Sequence, residues 1–172
     1  MEGAIYAASG GKTKRVAFPE DIGIKGFHNI QNAMAAILVG NIFNIDEEVI
    51  RDALRRFRGL EHRCERVAEI DGVTFINDSK ATTVDAAMCA LRAVKGRAIL
   101  IAGGRDKGSD FTVIKGLVEE KVKDLILIGE AKKKMRTQLL ASARIHEAES
   151  LDKAVELAFG LAVRGDTVLL SP

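Results

Sequence analysis

The chain has 172 residues, of which 47% are hydrophobic and 29% charged, and its formal net charge is +2. That profile fits one sizeable globular domain, or one domain plus part of another. It excludes the strongly basic character of a nucleic-acid or membrane-surface binder, and no apolar run approaches the roughly 20 residues of a membrane helix.

The N-terminal stretch MEGAIYAASGGKTKR lacks an apolar core of signal-peptide length, so no secretion signal is expected. A Gly-rich SGGK precedes a short strand candidate, KRVAF, followed by PED and another short apolar piece. To about Ile24 this reads as the frayed end of something larger. Two helices follow. Ile30, Ala33, Met34, Ile37 and Leu38 recur at helical spacing, as do Val49, Ile50, Ala53, Leu54 and Phe57. Asn44-x-x-Glu47 offers a capping signal for the second helix, and Gly59 a stop.

From Leu60 the pattern changes. RCERVAEI and VTFIND are extended runs joined by Asp71-Gly72, a hairpin signal. Helix and strand then alternate. AILIAGG, DLILIGE and TVLLSP are short apolar runs that suit parallel strands buried on both faces, with amphipathic helices near 110–122, 130–141 and 151–161. Alternation of this kind predicts an α/β fold with an open, doubly wound, mostly parallel sheet. A boundary near Gly59/Leu60 divides residues 1–59 from residues 60–172.

Cys64 and Cys89 read as small core hydrophobes in a reducing compartment. His28, His62 and His146 are scattered and form no metal-ligand motif, so no protein-held metal is expected.

In open α/β sheets ligands bind beyond the carboxyl ends of the strands. Three polar clusters fall at such ends: NDSKATT (77–83), GGRDKGSD (103–110) and the terminal Ser-Pro. Much of this has an ordinary explanation. Thr82-x-x-Asp85 fits a capping box, Asp78 suits a turn, Gly103-Gly104 a tight connection, and Ser109 or Asp110 a helix cap. Lys80 and Lys107 are required by none of these and supply charge for phosphates or carboxylates. At 28–32, HNIQN places Asn29 and Asn32 at i, i+3; their amides suit an adenine edge or phosphate oxygens, or one of them caps the helix. Arg63, beside His62 at the boundary, is either a surface turn residue or a bidentate phosphate clamp. Neither GxGxxG nor GxxxxGK[ST] occurs in the chain, so a dinucleotide fingerprint and a P-loop are both lacking from it.

In order, GFHNIQNAMAA, LEHRCERV, GVTFINDSKATT, IAGGRDKGSDF and GDTVLLSP resemble the Mur ligases of peptidoglycan synthesis, from about Ile24 to Pro172. INDSKAT is the most specific match, to the member that adds D-glutamate to UDP-N-acetylmuramoyl-L-alanine. The resemblance implies that residues 1–59 are the tail of a central ATP-binding domain and residues 60–172 most of the C-terminal, amino-acid-binding domain. The family's UDP-binding domain, P-loop, carbamylated lysine that helps hold magnesium, and terminal segment would lie outside this chain. It implies ATP and Mg²⁺ as cofactors and a cytoplasmic location, with no nucleic-acid or membrane partner. Asn29 and Asn32 would face ATP, His62 and Arg63 would reach the nucleotide, and Asp78 would hold ribose hydroxyls. Lys80 would sit by the transferring phosphate, while Thr82 and Lys107 would bind D-glutamate. Many relatives read GGDGK where this chain reads GGRDK, which leaves open whether Arg105 or Asp106 takes the neighbouring place. Alternative readings are a non-catalytic nucleotide- or amino-acid-binding module, and a fragment of a sister Mur ligase or of folylpolyglutamate synthetase. The chain alone is expected to be catalytically inactive.

Overall fold

The computed structural model describes residues 4–9, 12–24 and 26–172. The glycines of SGGK and the first three residues of the N-terminal stretch lie outside the described residues. The chain divides into two compact units, Met1–Gly59 and Leu60–Pro172.

In the first unit, β1 (Ile5–Ser9) pairs antiparallel with β2 (Lys12–Ala17). A 3-10 turn at Pro19–Asp21 leads to α1 (Phe27–Ile42) and α2 (Glu47–Arg56). Only KRVAF carries a strand signal in the sequence; β1 is recruited by pairing, because its Ile5 joins Val16, Ile22, Ile37 and Ile50 in a small core. The helix ends also differ from expectation. Asp46, not Asn44, caps α2, accepting from the Glu48 N–H at 2.8 Å. Asn44 instead takes a left-handed φ of 54°. The helix ends at Arg56, ahead of Gly59, where Phe57 turns extended.

The second unit is a six-stranded sheet in the order β3-β4-β8-β5-β6-β7, built from β3 (Glu65–Ile70), β4 (Val73–Asn77), β5 (Ala98–Gly104), β6 (Val122–Gly129), β7 (Arg144–Glu147) and β8 (Thr167–Leu170). β3 runs antiparallel to β4, and all other pairs are parallel. This is the doubly wound α/β architecture that the alternation predicts. Asp71 and Gly72 take φ of 54° and 79°, the pair of positive values that a type I′ hairpin turn needs.

Strand β5 shows why its sequence is apolar throughout. Ala98, Leu100 and Ala102 pack with Leu91 of α3 (Val84–Ala93), Val118 of α4 (Lys115–Lys121) and Met135 of α5 (Lys132–Gln138). Ile99 and Ile101 point the other way, toward Ala154 and Ala158 of α6 (Leu151–Leu161). Crossovers between parallel strands are right-handed, so connections stepping one way place their helices on one face. The return from β7 to β8 steps back and places α6 on the other. The helix expected near 110–122 is a 3-10 turn at Thr112–Ile114 running into α4, and that expected near 130–141 is trimmed to α5. β7 carries no apolar run in the sequence, because Arg144 and His146 interrupt it. Both reach back to fully buried Asp124 of β6, at 2.9 Å each, and so fasten an edge strand that has little core of its own.

Candidate ligand-binding site

The parallel strands deliver their carboxyl ends to one edge of the second unit. After β4 the chain turns through Asn77–Thr83 into α3. Three bonds stitch this turn to the segment 60–64. Asp78 Oδ1 accepts from the Cys64 N–H at 2.9 Å, the Lys80 N–H donates to the His62 carbonyl at 2.9 Å, and the Asn77 amide donates to His62 Nδ1 at 2.9 Å. With Nδ1 accepting, the neutral imidazole carries its proton on Nε2. The stitched segment is strained: His62 and Cys64 both have positive φ, 65° and 46°. Arg63 and Lys80 are exposed on the two joined stretches.

Asp78 itself is turned inward, at 4% exposure. Its N–H donates to Leu170 at the end of β8, and its Oδ2 receives Ser171 Oγ at a long 3.5 Å. Burial pushes the neighbouring Cys64 thiol up to about 12, and the Asp78 carboxylate pushes in the same direction. Cys64 is therefore no nucleophile near neutral pH.

Beside this network lies a cavity of about 260 Å³. Thr82 reaches it from the β4–α3 turn, Lys107 and Arg105 from the turn after β5, and Ser171 from the end of β8. Its inner wall is apolar, including Leu100 and Met135. The volume sits just below the roughly 300–1,000 Å³ typical of small-molecule pockets, a size for an amino acid more than a nucleotide. The chemistry of its lining, two cations (Arg105 and Lys107) and four hydroxyls (Thr82, Thr83, Ser109 and Ser171), suits carboxylates.

Thr82 is free for that lining because it does not cap α3. Thr83 does, accepting from the Ala86 N–H at 3.3 Å. Asp106 is folded back, accepting from the Gly108 N–H at 2.8 Å, while Arg105 lines the cavity. Asp110 holds the start of the following turn through the Thr112 hydroxyl and N–H, which keep its carboxyl below the usual range. Gly103 (φ 130°) is more than a turn former. A Cβ there would run into the Ile128 carbonyl, so the glycine lets β5 and β6 close up beneath the cavity.

In the first unit, Asn29 and Asn32 occupy the opening turns of α1, with the Asn32 amide donating to Asn29 Oδ1 at 3.3 Å. Neither caps the helix; Gly26 holds the N-cap position. Thus the second unit gathers Thr82 and Lys107 on one cavity, with His62, Arg63, Asp78 and Lys80 on the adjoining stitched turns. Arg105 and Ser171 join the cavity without having been assigned a role from sequence. Their signal was position: each lies just past the end of a buried parallel strand.

Among the described residues no group of three or more His, Cys, Asp or Glu side chains could hold a metal ion. Nor does any described helix have the length and apolarity to cross a membrane.

The family described as "Mur ligase, glutamate ligase domain" matches residues 62–172. The UDP-N-acetylmuramoylalanine–D-glutamate ligase of Chlorobium phaeobacteroides is 46% identical over 167 residues, covering 95% of this chain and 36% of that protein. That of Caldicellulosiruptor bescii is 45% identical over 170 residues, covering 98% and 37%. The chain thus spans little more than a third of the length of these curated relatives. Among solved structures, Mycobacterium tuberculosis folylpolyglutamate synthase complexed with ADP superposes with a TM-score of 0.73 at 16% identity, over 98% of this chain and 44% of that one. The UDP-N-acetylmuramate–alanine ligase MurC of Thermotoga maritima gives 0.70 at 19%, over 92% and 36%. At such identities the structural likeness speaks to the fold.

Proposed function

The chain belongs to the Mur ligase family, and we propose that it supplies the C-terminal, amino-acid-receiving part of a ligase joining D-glutamate to UDP-N-acetylmuramoyl-L-alanine. The observation that carries this reading is the shared cavity of Thr82 and Lys107, brought together from two successive strand-to-helix turns. The names of the relatives at 45–46% identity support it. In this reading residues 1–59 are the tail of a central ATP-binding domain.

The proposed reaction uses ATP. Its γ-phosphoryl group passes to the substrate carboxylate, giving an acyl phosphate and ADP. The D-glutamate amine attacks the acyl carbon, and the tetrahedral adduct expels phosphate to leave an amide, the amine losing a proton. Negative charge accumulates on phosphoryl oxygens, so positioned cations carry much of the catalysis. Lys80, exposed on the β4–α3 turn, takes the transferring phosphate. Arg63 and His62 reach the nucleotide, and Asp78 offers a ribose hydroxyl its Oδ2, the oxygen held only by the long Ser171 contact. Thr82 and Lys107 hold the carboxylates of D-glutamate, and Asn29 and Asn32 face the nucleotide from the first unit. No metal ligands gather among the described residues, so no step is assigned to magnesium on this chain. A cytoplasmic location belongs to the same proposal, because ATP is the co-substrate.

An NMR titration tests the reading. D-glutamate should shift the Thr82 and Lys107 amides saturably and more than L-glutamate does, and Mg-ATP should shift Arg63 and Asp78. Equal response to lysine, or shifts confined to other regions, would overturn the assignment. The chain alone should show no ligase turnover, since the sequence lacks a P-loop; measurable turnover would refute that.

A further inference from the structure

The first unit contains a second cavity, polar and of about 170 Å³, which the ligase reading does not use. Three guanidinium groups line it. Arg51 and Arg55 stand one turn apart on α2, at i, i+4 on one helix face, and Arg15 comes from β2. Among the described residues lining the cavity the single acidic group is Asp21, so three positive charges against one negative leave a formal +2 there.

That charge is not consumed by the fold. Asp21 is buried, with Oδ2 taking the Phe18 N–H at 2.9 Å and Oδ1 taking Arg55 through Nε (2.9 Å) and an Nη (2.6 Å). Arg51 is anchored through Nε and one Nη to the Val16 carbonyl, at 3.2 and 3.1 Å. Arg15 lies over the Phe18 ring at 4.7 Å. Among the described residues neither Arg15 nor Arg51 has a carboxylate within ion-pair distance. Of the five N–H donors on a guanidinium, Arg51 and Arg55 each use two on the described residues, leaving three apiece, and Arg15 uses none on them.

An arginine anchored through Nε and one Nη keeps further N–H donors with which its planar fork can recognise an oxyanion. We propose that this cavity is an anion site for a phosphate or diphosphate group, free or carried at the end of a larger molecule. Its volume falls short of the roughly 300 Å³ at which small-molecule pockets begin, so it takes the charged group alone. The proposal stands independently of the ligase reading.

The test uses the whole chain at low ionic strength, titrated with inorganic pyrophosphate and followed by ¹H–¹⁵N NMR, with sodium chloride at matched ionic strength as control. Saturable shifts should appear at the Val16–Asp21 amides and the Arg51 and Arg55 Nε–H signals. Arg15→Gln, which gives up the Phe18 ring contact but no side-chain hydrogen bond to the described residues, should leave the spectrum folded and weaken binding about threefold or more. Arg51→Gln should weaken it further; should that variant unfold through loss of its Val16 anchor, Arg15→Gln alone decides. Lys153→Gln, in the other unit, should change nothing. Shifts that chloride reproduces, or saturable binding indifferent to Arg15→Gln, would overturn the site. Equal affinity for inorganic phosphate would identify a single phosphate as sufficient, and tighter binding of pyrophosphate a diphosphate; binding of neither overturns the proposal.

Discussion

Strand β5 and helix α1 are both nearly devoid of charge, yet they sit in opposite surroundings. Five consecutive β5 residues, Ala98–Ala102, are buried, because helices cover the sheet on both faces. In α1, sixteen residues without a single Asp, Glu, Lys or Arg, only Ala33, Ile37 and Gly40 are buried, while Phe27 and Ile42 are each 75% exposed. Apolar composition sets what a segment would gain from cover, not whether cover is present. The second unit covers both faces of β5 with its own helices, and the first leaves much of α1 open.

If that contrast is right, truncations should divide by unit. Leu125→Ala empties a fully buried position in β6 and should cost about 2–5 kcal/mol in urea unfolding, chiefly through β5 and β6 amide exchange. A loss below about 1 kcal/mol would mean the sheet core repacks easily. Asp78→Ala leaves the Cys64 N–H without its acceptor and should cost about 1–3 kcal/mol, with amide shifts concentrated in 60–64 and 77–81. Unchanged shifts in 60–64 would show the two segments to be independently folded.

Smaller effects belong to the first unit. The Phe18 N–H bond is the chief cause holding the Asp21 carboxyl below its ordinary 3.8; burial opposes it and Arg55 adds to it. A depressed carboxylate contributes stability that is complete above the unfolded value of 3.8 and is lost as pH falls through the lower folded value. Asp21→Asn should therefore destabilise the hairpin unit near neutral pH and flatten its stability profile below pH 3.8. A variant as pH-sensitive as the parent there would reassign the effect to other acids. Least of all, Leu38→Ser on the open face of α1 should alter stability by no more than about 0.5 kcal/mol, in contrast to Leu125. A large loss would mean that this face is covered in solution.

Much of the second unit was legible because buried parallel strands announce themselves as continuous apolar runs, and Asp-Gly marks its hairpin. β7 and β1 were not, for related reasons. One is held by a buried carboxylate that it reaches from the next strand, the other by a partner strand and a few core contacts. Neither cause has a local period. At the site, the residue types at strand ends were visible, but which ones face the cavity was not. A shift of one position made Thr83 the cap and freed Thr82, and an Asx turn drew Asp106 back and left Arg105 on the cavity. Choices of that kind are settled by single hydrogen bonds that a sequence does not display.

The sheet order has a consequence for how the protein is made. β8 lies between β4 and β5 and pairs with both. A chain emerging from the ribosome can assemble the β3–β4 hairpin and the β5–β6–β7 group early, yet the two halves stay unjoined until Thr167–Leu170 arrives. Until then each half presents an open apolar edge of the kind that templates aggregation. Chains stalled just before Thr167 should thus depend on chaperones far more than chains stalled just after Leu170, and the four residues of β8 act as the closing stitch of the sheet.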